Sequence, residues 1–357
     1  MTLSKRKPTS TKIIWLMACM ALLIVFAGCK RGDRMPHSPK LKITTIATGL
    51  AGPMGIETDT HGNIWVSEGG TDTADAKGDT HNNDGKVIVI TPNGQKHDAI
   101  INLSSYANVH SHELQGTVHI LREGGILYVL SGDYLYQADI SHFKPGNKPL
   151  DANTLPSEDI AAVISQIPSA NNPEQDSHPY NLTKGPDGNL YITDAGANAI
   201  VQRTGVNKYH ILAEIPNFSN PTPIGGPTVQ SVPTSIMWDG SNFLVTTLTG
   251  FPFLPDQATI YKVSMSGNVS IYEKGFTMLV DQAAGINSTH IFVQHASSFS
   301  PASGFAPNSG SLLWADGSTT KLLADGLNQP VGIKQVNDHT WYVTSLGDGS
   351  VLKVTYE

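Results

Sequence analysis

The chain has 357 residues, enough for two or three domains or for one large ring. Apolar residues make up 39% and charged residues only 15%, which excludes a disordered chain and a coiled coil. The net charge is −7 and no basic block lies beyond the extreme N-terminus, so nucleic acid is excluded as a partner.

Residues 1–28 carry Lys5, Arg6, Lys7 and Lys12 but no acid, and end in an uncharged run from Ile13 to Gly28. That run is shorter than the roughly 20 residues a spanning helix needs, and a basic start with small residues at the end describes an export signal. It finishes Val25-Phe26-Ala27-Gly28-Cys29, which resembles a bacterial lipobox. On this reading 1–28 is a lipoprotein signal peptide and Cys29 is the lipidated first residue. Residues 29–40 are then a polar tether, and the domain is extracytoplasmic on an outer membrane or cell surface. The alternative is an uncleaved N-terminal anchor. Only Cys19 and Cys29 are cysteines, so the exported part has no disulfide and no thiol chemistry. Without the four signal charges, 19 basic residues face 30 acidic ones, a net −11.

Residues 41–357 are organised by a repeat. Glycine (34 in the whole chain) and proline (22), together about one residue in six, punctuate it throughout, as short strands with tight turns require. The phrase is a small apolar strand, a Gly/Asn/Asp turn, then a β-branched and aromatic strand. It reads GLAGPMGIETDTHGNIWVSEGG at 49–70, SHPYNLTKGPDGNLYITDAGAN at 177–198 and SVPTSIMWDGSNFLVTTLTG at 231–250. Further copies are LQGTVHILREGGILYVLSGD (114–133), LVDQAAGINSTHIFVQHA (279–296) and GLNQPVGIKQVNDHTWYVTSLGD (326–348). Third strands follow in most copies, and fourth strands fit after Pro92-Asn93-Gly94 and Ser266-Gly267-Asn268. The repeat period falls in the range of propeller blades. The expectation is an all-β, six-bladed β-propeller of four-stranded antiparallel blades in one domain, 41–357.

The ends sharpen it. The sixth copy stops at Glu357 after three strands, while Leu41–Thr48 is a spare strand before the first. Pairing the two closes the ring and removes two edges. Residues 141–176 interrupt the repeat. Ile160, Val163, Ile164 and Ile167 follow helical spacing there, with Ser157 as the expected N-cap of a short helix between blades two and three.

The phrases NNPEQDSHPYNL (171–182), PDGNLYITDAGANAI (186–200) and VPTSI…LTGFPFLPDQATIYKV (232–263) resemble the ScyD/ScyE family of propeller proteins, as does GLNQPVGI (326–333). The PDGNLYITDAGAN stretch alone is a generic NHL-type repeat; the LTGFPFLP phrase is more specific. The second and fifth copies depart from the pattern, lacking its proline and Asp-Gly turn. The resemblance implies fold and location, and no catalytic mechanism.

Loops entering each first strand and leaving each second strand share one face of a propeller. Projection puts His112, Glu113, His178, Tyr180 and Asp281 in the entering loops, and Glu68, Asp72, Asp133, Asp194, Asn198, His295 and Asp348 in the leaving loops. Carboxylates with interspersed imidazoles could hold a divalent cation such as calcium, or supply a base and acid. Glu68, His112, His178, Asp194, Asn198, Asp281 and His295 are the candidates. Asp and Asn after a strand equally cap turns. His110 and His112 lack a third ligand of defined spacing, and the acidic loop 70–84 does not have EF-hand spacing. Phe251 and Phe253 could form a binding patch or pack beneath a neighbouring blade.

Three functions compete. The first is a lipid-anchored binding or scaffold module whose channel face takes a small molecule, polysaccharide or protein. The second is a metal-assisted hydrolase or lyase of the gluconolactonase or streptogramin-lyase type. The third, a quinone-dependent sugar dehydrogenase, lacks its basic and histidine pocket.

Overall fold

Six antiparallel sheets surround one axis, each with its first strand innermost. The computed structural model describes residues 41–71, 80–107, 114–169 and 171–357. The structure is an all-β, six-bladed β-propeller. The inner strands are Pro53–Thr58, Thr117–Glu123, Pro179–Lys184, Pro233–Trp238, Leu279–Ala284 and Pro330–Asn337. Four of them open on proline, a strand position where a missing N–H costs no ladder bond.

The ring closes as the spare strand predicts. Leu41–Ala47 pairs antiparallel with Ser350–Tyr356, Leu41 opposite Tyr356 and Ala47 opposite Val351. The last blade thus combines both chain ends, in the order Leu41–Ala47, Ser350–Tyr356, Thr340–Ser345, Pro330–Asn337.

The interruption at 141–176 does more than cover an edge. Ser157–Asp159 pairs with Tyr134–Tyr136 and supplies the fourth strand of blade two. Leu150–Asp151 adds a parallel fifth strand to blade one. The helix is shorter than the spacing predicts, Ile160–Ile164, and its N-cap is Asp159 rather than Ser157. The Asp159 carboxylate accepts from Ala162 N–H at 2.8 Å, while Ser157 is held in the strand. Ile160 and Ile164 are fully buried with Leu135, Leu182 and Leu190, so the helix wedges between blades two and three.

Blades pack through their β-branched and aromatic residues. Tyr191 meets Phe243 of the next blade with ring centroids 4.3 Å apart. The lower turns share one device. Asp59 accepts from Asn63 N–H (3.0 Å) and Trp65 Nε1 (3.1 Å), and Asp187 from Asn189 N–H (3.1 Å) and the Tyr191 hydroxyl (2.9 Å). The Asp-x-x-Gly-Asn and Asp-Gly-Asn turns are therefore tied to the aromatic that follows.

Near the axis the strands do not pair regularly. Every inner strand shifts register against its neighbour, for example between Pro53 and Ile56 and between Pro330 and Ile333. The N–H released by such a bulge needs an acceptor. A hydroxyl on the second strand provides it: Gly55 N–H donates to Ser67 (2.7 Å), Asn181 to Thr193 (3.1 Å), Ser235 to Thr246 (3.0 Å) and Gly332 to Thr344 (2.7 Å). Several of these hydroxyls then donate onward to the next blade. Thr344 reaches Met54 O and Thr193 reaches Thr234 O, both at 2.6 Å. The approach is close: a Cβ on Gly55 would stand 2.8 Å from His119 Cα, and one on Gly332 2.3 Å from Met54 O. Glycine at these positions lets the inner strands meet.

Candidate functional site

The channel is not continuous. Met54, Val118, Tyr180, Val280 and Val331 converge at mid-height with no room for a water molecule between them. Above this plug lies a cavity of about 430 Å³, and below it one of about 280 Å³.

The upper cavity is mostly apolar, walled by Tyr180, Val232, Leu248, Phe253, Val280 and Phe305. An aromatic cluster forms its rim. Phe253 lies 4.7 Å from Phe299 and 5.3 Å from Phe305 (ring centroids), and Phe251 stands outermost at 49% exposed. The hairpin Phe299–Ser300 with Gly304–Phe305 brings two of these rings from blade five. Phe251 and Phe253 thus belong to one cluster with a packed and an exposed member.

Two of the sequence candidates, His178 and His295, reach this cavity. His178 is partly exposed, its Nε2 3.8 Å from Asp176 Oδ1. His295 is buried edge-on to Phe305, with Nδ1 3.2 Å from Pro330 O. Burial holds His295 well below the ordinary imidazole range, at about 4, so it is neutral near pH 7.

The acidic candidates are engaged elsewhere. Asp194 accepts from Ser177 Oγ (2.6 Å) and from the N–H groups of His178 (2.7 Å) and Ala197 (2.9 Å), which fixes the loop that carries His178. Glu68 accepts from Ala51 N–H at 3.0 Å and lies 3.3 Å from Lys86 Nζ. Asn198, in the left-handed region at φ 51°, accepts from Val232 N–H and donates to Ile215 O. Asp348 receives Asn328 Nδ2 at 2.8 Å. Asp133 sits beside Asp159, Asp176 and His178 in a groove on the same side; burial raises its carboxyl, with His178 opposing. Among the described residues no group of three or more His, Cys, Asp or Glu is placed to hold a metal ion. His110, His112, Glu113, Asp72 and Cys29 lie outside the described residues.

Asp281 departs from its projected place. It lies within an inner strand rather than an entering loop, and it faces the lower chamber. Its carboxylate receives Ser235 Oγ (2.8 Å), Asn181 Nδ2 (3.2 Å) and Ile333 N–H (2.8 Å), so one side chain joins blades three, four, five and six. Burial pushes its carboxyl up to about 6 against these hydrogen bonds.

The lower chamber has no motif of its own in the sequence. All six inner strands line it, through residues such as Glu57, His119, Asn181, Ser235, Gln282 and Lys334. The only sequence signal is their position in the inner strands, where the repeat otherwise places small apolar residues.

No family model matches the chain, and no curated protein matches it. Solved structures do. A streptogramin B lyase structure aligns at 14% identity and a TM-score of 0.52, covering 89% of this chain and 98% of that one. A putative gluconolactonase aligns at 11% and 0.51, covering 90% and 94%. A Bacteroides thetaiotaomicron protein of unknown function aligns at 10% and 0.54, covering 90% and 77%. The likeness is one of fold. At such identities nothing about residues or activity transfers.

Proposed function

We propose that the protein is an extracytoplasmic, lipid-anchored binding module of the ScyD/ScyE type, whose upper cavity takes a small molecule with an apolar or aromatic body. The observation that carries this reading is the lining: Tyr180, Leu248, Phe253, Val280 and Phe305 form the wall, and His178 and His295 supply a few polar points. Concave, mainly apolar sites with sparse polar groups are the common form of small-molecule pockets. The exposed Phe251 extends the apolar surface beyond the cavity, where a larger ligand or a protein could rest.

The probe is 8-anilinonaphthalene-1-sulfonate, which fluoresces in apolar pockets. It should bind saturably, and Phe253→Ala should weaken it about tenfold, the loss of one aromatic contact face. Equal binding by the variant would remove the upper cavity as the site. Anchoring is a separate test: Cys29→Ala should move the protein from the membrane fraction to the soluble fraction. Membrane retention of that variant would overturn the lipoprotein reading.

A second reading, a hydrolase or lyase, is favoured by His178. It is partly exposed at the cavity edge, oriented through its own backbone by Asp194 and near Asp176, as a general base would be. A divalent cation such as calcium would then have to draw ligands from the rim. A thermal shift with calcium that EDTA reverses would support this reading.

A further inference from the structure

We infer that the lower chamber is a second binding site, for a small uncharged polyol the size of one sugar ring. It opens at the face opposite the upper cavity, and the plug of Met54, Val118, Tyr180, Val280 and Val331 separates the two.

Its walls call for a ligand rich in hydrogen-bond donors. Gln282 is 6% exposed and gives its Nε2 to Leu244 O at 2.9 Å, while its Oε1 is buried with no partner among the described residues. A buried amide oxygen left without a donor is costly, and such groups in folded proteins are normally satisfied by a partner, a water or a ligand. The same chamber is lined by Glu57, 8% exposed at its side chain, whose Oε2 holds Lys334 Nζ at 2.7 Å. The Lys334 side chain is 36% exposed, so its ammonium has N–H groups to offer from the open side of the chamber.

This chemistry narrows the ligand class. An amine would bring donors but would meet the Lys334 ammonium. A carboxylate would suit Lys334 but would face Glu57 and the Gln282 oxygen. Hydroxyl groups avoid both conflicts, since each can donate to Gln282 Oε1 or Glu57 and accept from Lys334. Glu57 and Lys334 pair with each other, and the Asp281 carboxylate is already met by Ser235, Asn181 and the Ile333 N–H, which favours a neutral molecule. The volume, about 280 Å³, lies just under the range for drug-sized ligands and admits one ring rather than an oligomer. Ile56, Leu121, Leu182 and Ile236 complete the wall with apolar surface for the C–H faces of such a ring.

The test is saturation-transfer NMR and calorimetry on the full chain with glucose, galactose, mannose and myo-inositol. At least one should bind saturably with Kd under about 10 mM, the affinity of a few hydrogen bonds. Gln282→Leu should weaken it about tenfold, one hydrogen bond's worth, and Lys334→Met comparably. Phe253→Ala, in the upper cavity, should leave it unchanged, so failure here and failure of the upper-cavity reading are distinguishable. If Gln282→Leu does not fold by circular dichroism, Lys334→Met decides alone. Saturation by none of the four polyols, unchanged binding in the variants that fold, or loss of binding in Phe253→Ala would each overturn the proposal.

Discussion

At the scale of single residues, Asp281 and His295 carry opposite pH signatures. Burial holds His295 at about 4, below its unfolded value of 6.5, so its contribution to stability is complete above pH 6.5 and is lost as pH falls toward 4. That window spans on the order of 3 kcal/mol by linkage. Asp281 is raised to about 6 from 3.8, so its protonation favours the folded state below pH 3.8, and that gain is lost as pH rises through 6. The two oppose each other between pH 4 and 6. Denaturant titrations at several pH values should show His295→Phe losing less stability than wild type on acidification, and Asp281→Asn losing more. A His295→Phe profile parallel to wild type would contradict the buried neutral imidazole. Neither role was visible as such in the chain. The sequence places both residues only at the channel face, and their side-chain hydrogen-bond partners lie on other blades.

At the scale of elements, the repeat was legible because each blade needs the same three things. It needs a small inner strand, a turn with positive-φ residues, and a β-branched strand to pack between sheets. The closing strand was legible for the same reason, because a three-stranded last copy and an unpaired first strand are complementary. Its register, Ile43 opposite Val354 and Thr45 opposite Leu352, replaces two open edges with one ladder. Deleting residues 41–47 should broaden the thermal transition and lower its midpoint, with the last blade exchanging amide hydrogens fastest. A deletion variant that melts as sharply and as high as the full chain would refute closure as a source of cooperativity. The helix is shorter than its apolar spacing predicts. Four isoleucine and valine positions gave a true apolar face, but a carboxylate two residues after Ser157 makes the better cap, and Ser157 was claimed by strand pairing with Tyr136. Local preference yielded to a sheet edge that needed a partner.

At the scale of the whole molecule, the ring is stitched near its axis by hydroxyls that serve two strands at once. Thr344 accepts from Gly332 within its own blade and donates to Met54 of the first, across nearly the whole chain length. Asp281 continues the stitching from blade three to blade six. The convergence of inner strands that permits these bonds also blocks the channel at mid-height, which divides the axis into a mostly apolar chamber and one of mixed polar and apolar lining.

The sequence alone determined the six blades, their turns and the closure of the ring, because these depend on periodicity and on local φ preferences that each copy repeats. The tertiary structure alone decided where the axis opens. Glu68, Asp194 and Asn198 looked like channel-mouth ligands along the chain, yet in space each meets a backbone N–H within hydrogen-bonding distance. Glu57, Gln282 and Lys334 looked like ordinary strand residues, yet the ring's curvature brings them from three blades to one chamber. Convergence of this kind comes from how six strands meet at the axis, and a linear repeat carries no record of it.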